Sequence, residues 1–308
     1  YLRYIDPKND QAMVDPKKEK EWMPVDVYVG GDHATRHLIY ARFWHKFLFD
    51  IGVVSTEEPF PRLEFLGFIL AEDGRKMSKR WGNIINPDDM VGRFGADAFR
   101  LFEMFIGPFE NTVPWNTDGM VGTRRFVEKV WKLTFDFKDH IYNEGNYSDS
   151  SALELLHRTI KKVEEDIENF KFNTAVSSLM IFINKLREDK TGVTSLLTIS
   201  DYKKFLQLLA PFASHVADEL WHELGETESI HISKWPEFDP SKIVESEATV
   251  IIQINGKVRS ELKVAVDTGN EEIEKLAKED TKIATWLAGK EIVKIIHVPN
   301  KLVNIVVK

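Results

Sequence analysis

Between residues 118 and 224, apolar residues recur every three or four positions, and glycine and proline are sparse. This period places the apolar side chains on one face of a helix, and such faces are buried when helices pack together. The sequence therefore predicts an α-helical bundle over residues 118–236. The rows that carry the pattern are Phe126, Val130, Leu133 and Phe137; Leu153, Leu156, Ile160, Val163 and Ile167; and Phe205, Leu208, Leu209 and Phe212.

The segment before the bundle has short strand and helix patterns. The run 25–29 alternates and ends at Gly30-Gly31. The helical pattern that follows over 33–48 predicts a helix that is buried on more than one face. A strand, a glycine turn and a helix in this order are typical of α/β domains. A strand over 64–70 is also predicted, and a helix over 91–105 that begins at Asn86 or Asp88 and is interrupted by Gly92 and Gly95. Residues 1–27 are predicted to be loop with short turns.

After a proline-containing linker at 235–246 the pattern changes to period two. Two β-rich runs, 249–254 and 258–266, flank Asn255-Gly256, which is the strongest short signal for a hairpin. A helix over 270–287 and strands over 292–298 and 302–307 follow. The sequence therefore predicts a small ββαββ domain over residues 247–308.

Composition excludes several classes of protein. The 308 residues are 43% hydrophobic and 29% charged, as in globular proteins. No apolar run approaches the ~18 residues of a membrane span, so no membrane partner is expected. The absence of cysteine excludes a disulfide scaffold and a thiol nucleophile and fits a cytoplasmic protein. The net charge of -8 argues against a generic nucleic-acid binder, although local basic patches still bind phosphate.

The sharpest candidate for chemistry is the segment Lys76-Met77-Ser78-Lys79-Arg80. Two lysines flank a serine, and glycines on both sides allow the segment to move and to approach a ligand closely. Mobile lysines suit the charge that develops on phosphate during a reaction. From these residues alone, a solvated basic loop is the open alternative.

Two histidines form a second candidate. His33 and His37 lie one helical turn apart, and Asp32 is adjacent. This spacing is compatible with zinc, but the set is incomplete and the glutamate of a metalloprotease motif is absent. A polar helix face is the alternative interpretation, and no metal site is predicted.

Basic residues at two places are candidates for contact with RNA. Positions 125, 129 and 132 share one helix face, which suits an RNA backbone, and a solvated face is the alternative. Phe126 and Trp131 are predicted to be core residues rather than platforms for bases. The candidate cations are Arg124, Arg125, Lys129 and Lys132 in the bundle, and Lys257 and Arg259 in the hairpin.

The basic segment resembles the KMSKS signature of class I aminoacyl-tRNA synthetases, with Arg80 in place of the final serine. The stretch GNIINPDDMVGRFGADAFRLFEMF is similar to the one that follows the signature in the Leu, Ile and Val branch. Further segments resemble the bacterial-type leucyl family, and together they cover nearly the whole chain in the expected order. These segments are YLRYIDPKND, VDVYVGGDHATRHLIYARFWHKFL, LAPFASHVADELWHELG and VIIQINGKVRSELKV.

The resemblance implies a multidomain chain. Residues 1–117 would be the C-terminal half of a Rossmann-type catalytic domain, 118–236 an anticodon-binding-type bundle, and 247–308 an α+β domain that contacts tRNA. The segment from Lys76 to Arg80 would be the catalytic loop. The implied ATP or adenylate contacts are Gly30, Gly31, Asp32, His33 and Lys79, and the implied leucine pocket includes His33 and His37. The turn reads GGDH, one residue shorter than the common GG-x-EH form.

The implied reaction is the activation of leucine with ATP and Mg²⁺, followed by transfer to tRNA(Leu). The chain has no HIGH motif and does not begin with methionine, so we expect a separate N-terminal half with that motif and an editing domain. The fragment alone is expected to be inactive. Two alternatives stay open: a non-catalytic tRNA-binding or assembly subunit of a split synthetase, and a valyl- or isoleucyl-tRNA synthetase.

Overall fold

The computed structural model describes residues 1–31, 34–140, 150–188, 197–243, 247–265, 268–298 and 301–308. Two compact units are formed, Tyr1–Phe238 and Asp239–Lys308. The helices are α1 Leu2–Ile5, α2 Pro16–Trp22, a π-helix Ala34–Ala41, α3 Arg42–Asp50, α4 Pro87–Phe94, α5 Ala96–Phe105, α6 Gly119–His140, α7 Ser150–Glu168, α8 Phe172–Glu188, α9 Ile199–Leu209, α10 Ser214–Glu223, α11 Asn270–Glu279 and α12 Thr281–Leu287. The strands are β1 Tyr28–Val29, β2 Leu63–Glu64, β3 Ile69–Leu70, β4 Val113–Pro114, β5 Glu247–Ile254, β6 Lys257–Ala265, β7 Ile292–Val298 and β8 Leu302–Val307.

The first residues contain two short helices, so the prediction of a loop over 1–27 is wrong there. Asp15 caps α2, because its side chain accepts from the backbone N–H groups of Lys17 and Lys18, and Pro16 occupies the first helical position. This is a favourable combination for a helix start. The buried Asp6 carboxylate accepts from Lys18 at 2.6 Å and connects α2 to the segment after α1.

Two short parallel pairs replace the single predicted strand over 64–70. β1 pairs with β2, and β3 pairs with β4. The chain changes partner at Gly67, where an added Cβ would lie 2.0 Å from the Asn111 carbonyl oxygen. Only glycine allows the two backbones to approach this closely, and that contact separates the two strands.

The helix predicted after the glycine turn is present, but its first eight residues, Ala34–Ala41, are π-helical. The expected burial on several faces is wrong for this part of the chain. His45 and Leu48 are buried, whereas Phe43 and Trp44 are 74% and 50% exposed. The helix therefore presents a large aromatic surface to the outside.

The helix predicted over 91–105 is broken in two. Asn86 caps α4 as expected, by accepting from the Asp88 N–H. The break lies at Gly95, whose φ of +90° does not fit a continuous helix. Asp97 of α5 then accepts from the His215 and Val216 N–H groups at the start of α10, so one helix caps another.

The predicted helical pattern of residues 118–224 is confirmed by α6 to α10. Their apolar rows form one core in which Leu156, Ile160 and Phe205 are fully buried. Tyr202 and Thr134 share a buried hydrogen bond of 2.8 Å, which satisfies both hydroxyls inside that core. The boundary at 117/118 between catalytic domain and bundle stays a prediction, since α5, α6 and α8 pack in the same unit.

The second unit is a four-stranded sheet in the order β6-β5-β8-β7, in which β5 and β8 are parallel and the outer pairs antiparallel. The predicted hairpin is confirmed, and Asn255 and Gly256 both have positive φ, 49° and 77°. The helix predicted over 270–287 is two helices, because Asp280 caps α12 through the N–H groups of Lys282 and Ile283. Among the helices of the described ranges, none is long and apolar enough to cross a membrane.

Candidate functional site

The basic loop connects β3 to α4 and is built on a tight turn. The Ala71 N–H donates to the Arg75 carbonyl at 2.9 Å, and Gly74 takes the positive φ of +76° that the turn requires. The Asp73 carboxylate receives two hydrogen bonds from the Arg75 guanidinium, at 2.9 and 2.6 Å. These bonds hold the pKa of Asp73 below its usual value. Asp73 is therefore neutralised by Arg75 rather than by the lysines that follow.

Ser78 and Asn83 shape the signature segment. The Ser78 hydroxyl accepts from the Arg80 N–H at 3.2 Å and caps a 3₁₀ turn over Lys79–Trp81. The Asn83 side chain accepts from the Ser78 N–H at 2.9 Å and donates to the Lys76 carbonyl at 3.4 Å. Met77 packs with the apolar cluster around Met90, Phe102, Trp115 and Met120. The loop thus has an apolar anchor and a defined backbone shape.

The two lysines of the signature have different environments. The Lys76 ammonium lies 4.4 Å from the centre of the Phe68 ring, which is a cation–π contact. Lys79 is exposed and has no hydrogen-bond or ion-pair partner within the described ranges. The guanidinium groups of Arg75 and Arg80 lie 5.1 and 5.3 Å from the centre of the exposed Trp81 ring. Lys79 is therefore the cation of the loop most available to an anionic ligand.

The glycine turn and the basic loop meet at Phe68. Gly31 packs so closely that an added Cβ would lie 2.5 Å from the Leu66 carbonyl oxygen and 3.7 Å from Phe68 Cζ. The Lys76 ammonium lies on the same Phe68 ring. Gly30 is buried, and its N–H donates to the Glu64 carbonyl at 3.1 Å. Two segments that the sequence placed far apart are thus brought to one aromatic ring.

The histidine pair is only partly described. Asp32 and His33 lie outside the described residues, so their predicted contacts stay predictions. His37 is half-buried on the π-helix and stacks on Tyr28, with ring centres 4.3 Å apart. A hydrogen bond of 3.0 Å also joins the Tyr28 hydroxyl to His37 Nδ1. Burial raises the pKa of Tyr28, so its hydroxyl keeps its proton at neutral pH.

The start of the loop is fixed to the segment before α6. The Glu72 carboxylate accepts from the Thr117 hydroxyl at 2.6 Å and from its N–H at 3.2 Å. Trp115 in turn donates its indole N–H to the Thr117 hydroxyl at 2.9 Å. These bonds hold the pKa of Glu72 below its usual value. No sequence pattern indicated the contacts of Glu72 or Phe68, whereas Asn83 belongs to the stretch after the basic segment whose resemblance to the family was visible.

The predicted RNA-facing cations of α6 differ in their contacts. Arg124 donates to Glu128 and to the Phe94 carbonyl, at 2.8 and 3.1 Å, and so supports the end of α4. Lys129 donates to Asn184 at 2.9 Å. The remaining two, Arg125 and Lys132, are exposed.

The aromatic residues of α6 correct one prediction. Phe126 is buried as expected, but Trp131 is 42% exposed and contacts Phe135 with tilted rings whose centres are 5.2 Å apart. The reason is its position directly after the buried Val130, because one residue turns the side chain about 100° around the helix. Trp131 is therefore a surface aromatic next to Lys132 rather than a core residue.

In the second unit, the half-buried Arg259 packs on the partly exposed Trp286. Its guanidinium lies 3.6 Å from the centre of the Trp286 ring, and Lys290 lies 5.9 Å from the same ring. Lys257 is exposed at the start of the same strand. Asn255 ties this hairpin to β8, since its side chain accepts from the Val307 N–H and donates to the Val307 carbonyl. The cations are thus held on a rigid support.

Among the residues that the structure describes, no group of three or more His, Cys, Asp or Glu side chains is placed to hold a metal ion. A dedicated protein cage for Mg²⁺ is therefore not built by this part of the chain. Mg²⁺ commonly binds through substrate phosphates with one or two carboxylates. We accordingly treat it as part of the nucleotide substrate.

Two protein families match this chain. The family "tRNA synthetases class I (I, L, M and V)" matches residues 9–113, which include the glycine turn and the basic loop. The "Anticodon-binding domain of tRNA ligase" matches residues 149–275. Only residues 1–8, 114–148 and 276–308 lie outside the two matches.

Solved structures agree with this assignment. The chain is similar to the agnB2 LeuRS of Agrobacterium radiobacter K84, solved in a ternary complex with tRNA and LeuAMS, at 30% identity and a TM-score of 0.81. That match covers all of this chain and 41% of the LeuRS chain. A methionyl-tRNA synthetase of Mycobacterium tuberculosis, in complex with methionyl-adenylate, shares the fold at 17% identity and a TM-score of 0.55, over 72% of this chain and 47% of its own. On these matches the chain belongs to the class I tRNA synthetases, and it includes their anticodon-binding domain.

Proposed function

We propose that this chain is the part of a leucyl-tRNA synthetase that carries the phosphate-binding loop and the tRNA-binding domains. The observation that carries the proposal is the exposed Lys79 of the basic loop. The same loop contacts the Phe68 ring through Lys76, and that ring also packs against Gly31. A glycine turn that permits close approach and an available cation are what a nucleotide and its phosphates require. The 30% identity to a LeuRS over the whole chain supports leucine as the amino acid.

In the first step, a leucine carboxylate oxygen attacks the α-phosphorus of MgATP. The bond from that phosphorus to the bridging oxygen breaks, and the electron pair leaves with pyrophosphate. The protein mainly orients the reactants and neutralises charge in such a transfer. Lys79 contacts the pyrophosphate as negative charge develops on it. Lys76 leaves the Phe68 ring and then contacts the pyrophosphate as well. Ser78 and Met77 keep the backbone of the loop in shape.

In the second step, a ribose hydroxyl at the 3′ end of tRNA(Leu) attacks the leucyl carbonyl, and AMP leaves. Arg125 and Lys132 on α6 and the Arg259–Trp286 pair in the second unit are our candidates for contacts to the tRNA backbone. Phosphate contacts of this kind position the RNA without reading its sequence. Support comes from the anticodon-binding family match and from the tRNA in the LeuRS complex.

We further propose that a separate part of the synthetase, with the HIGH motif and an editing domain, covers the aromatic face of residues 34–51. Large exposed aromatic patches usually mark an interaction surface, and Phe43, Trp44 and Phe47 lie together on this one. Its neighbours His33 and His37 are our candidates for the leucine pocket. Gly30, Gly31 and Asp32 are the candidates for ATP contacts, in a cytoplasmic enzyme.

The test is amino-acid-dependent ATP–pyrophosphate exchange by the complete synthetase that contains this chain. Exchange that requires leucine, with valine, isoleucine and methionine far weaker, is the expected result. A dominant response to valine or isoleucine would instead favour the alternative synthetases. Binding of tRNA without exchange for any amino acid would favour a non-catalytic tRNA-binding or assembly subunit.

A further inference from the structure

Asn83 lies outside the signature segment, yet its amide contacts that segment at two points. The Oδ1 atom accepts from the Ser78 N–H at 2.9 Å, and the Nδ2 atom donates to the Lys76 carbonyl at 3.4 Å. One planar group therefore bonds to both backbone groups that flank Met77.

These contacts determine where Lys79 stands. Ser78 caps the 3₁₀ turn over Lys79–Trp81 through the Arg80 N–H, so the orientation of Ser78 sets the start of that turn. Asn83 fixes the Ser78 N–H from the other side. Gly82, with a φ of +64°, lets the chain return so that Asn83 reaches back into the loop. The direction of Lys79 thus depends on a residue four positions later.

We propose that Asn83 is a positioning residue for Lys79, which holds the loop in the shape that presents this ammonium to the departing pyrophosphate. This inference rests on the proposed function of the loop. The chemistry requires an amide, because one atom accepts from a backbone N–H while the other donates to a carbonyl oxygen. An aspartate keeps the first bond, but it has no N–H group to donate to the Lys76 carbonyl.

The test is a double-mutant cycle on the complete synthetase, with ATP–pyrophosphate exchange as the readout. The variants are Asn83→Ala, Asn83→Asp, Lys79→Ala and the double Asn83→Ala/Lys79→Ala. We expect Asn83→Ala to lower kcat about tenfold with the KM for leucine unchanged, and Asn83→Asp to lower it at least as much. The double variant is expected to be no slower than Lys79→Ala alone. Once the Lys79 ammonium is absent, a residue that only positions it no longer affects kcat.

A matched control separates this role from general support of the fold. Asn169→Ala removes a similar bond between an amide and the backbone, since Asn169 donates to the Glu165 carbonyl at 2.7 Å, but it lies outside the loop, directly after α7. We expect that variant to keep its kcat. Thermal unfolding of each variant reports any loss of structure, and the exposed position of the loop leads us to expect none for Asn83→Ala.

The possible outcomes distinguish the two proposals. A normal kcat in Asn83→Ala, a normal kcat in Asn83→Asp alone, or fully additive losses in the double variant would overturn the positioning role and leave the function of the loop intact. A normal kcat in Lys79→Ala would overturn both the positioning role and the proposed function of the loop.

Discussion

The Lys76 ammonium lies 4.4 Å from the centre of the Phe68 ring, and the same ring lies against Gly31. The basic loop is therefore docked on the part of the structure that approaches the glycine turn. Lys79, three residues later, is exposed. The two lysines are chemically alike, but before the reaction Lys76 lies on an aromatic ring and Lys79 lies in solvent. Different effects are therefore expected when each environment is changed.

Lys79→Ala in the complete synthetase is expected to lower the rate of adenylate formation 10²- to 10³-fold. One well-placed donor toward developing charge contributes ~3–4 kcal/mol to the transition state. Leucine binding is expected to be nearly unchanged, since Lys79 is proposed to contact phosphate only. Steady-state ATP–pyrophosphate exchange measures both quantities, and Lys17→Ala, an exposed lysine on α2, is the matched control. An exchange rate equal to that of the control would contradict the assignment.

Phe68→Leu is expected to lower the KM for ATP about two- to fivefold. Leucine keeps the apolar contact but removes the ring, and a cation–π contact of a partly exposed lysine is worth ~0.5–1 kcal/mol. Without the ring, the phosphates no longer compete with Phe68 for Lys76. The comparison requires ATP titrations at saturating leucine. A higher KM for ATP would show instead that the docked position of Lys76 serves binding.

Gly31→Ala is expected to destabilise the first unit by ~1–3 kcal/mol, because the added Cβ would lie 2.5 Å from the Leu66 carbonyl oxygen. Gly122→Ala is the matched control, since Gly122 lies in α6 with no atom within 4 Å of an added Cβ. That substitution is expected to stabilise the helix by ~0.5–1 kcal/mol. Chemical unfolding of both variants measures the two effects. Equal midpoints for Gly31→Ala and the unsubstituted chain would contradict the close packing described at this turn.

Stability is expected to fall as the pH drops below about 6.5, the pKa of an unfolded histidine. His45 is buried, and burial lowers its pKa in the folded state. The unfolded chain therefore binds more protons between the folded pKa and 6.5, so the free energy of unfolding rises with pH across that window. Both ring nitrogens of the neutral His45 form hydrogen bonds. Nδ1 bonds to the Tyr1 hydroxyl, and Nε2 donates to the Thr56 carbonyl at 2.7 Å.

Thermal unfolding between pH 5.5 and 7.5 measures this effect. His45→Gln is expected to be less stable than the unsubstituted chain at neutral pH, with a smaller dependence of its melting temperature on pH. The assignment to His45 fails if His45→Gln keeps the full dependence.

Arg259→Ala is expected to weaken binding of tRNA(Leu) and to reduce the slope of log K against log salt by about one. The reason is the loss of one phosphate contact, which releases about one counterion fewer. Arg259→Lys keeps the charge but not the planar stack on Trp286, so its affinity is expected to be intermediate. Filter binding at several salt concentrations provides the measurement. Lys275→Ala, on the exposed face of α11, is the control, and an equal loss in that variant would indicate a nonspecific charge effect.

The sequence predicted best those elements whose signals are local. Asn255-Gly256 forms the expected hairpin because both residues tolerate positive φ, and Asn86 caps α4 as expected. The strands over 292–298 and 302–307 also lie where the period-two pattern indicated. In each case the residues that decide the conformation are within a few positions of one another.

The elements that sequence reasoning placed wrongly depend on contacts from distant residues. Gly67 ends a strand because the Asn111 backbone packs against it. Trp131 fits the apolar composition of a helix but lies one position away from its buried row. For the site, the signature segment was visible in the sequence. Its contacts with Phe68 were not, because they are decided by tertiary packing.

The central pairing of β5 with β8 makes the second unit dependent on its last strand. These two strands lie side by side in the middle of the sheet, although the residues between 254 and 302 separate them along the chain. A nascent polypeptide that has reached only β6 has a two-stranded hairpin, which is marginally stable alone. The surface with Arg259 and Trp286 therefore becomes rigid only after β8 has been synthesised. Until β8 leaves the ribosome, this unit is exposed unfolded to cellular quality control.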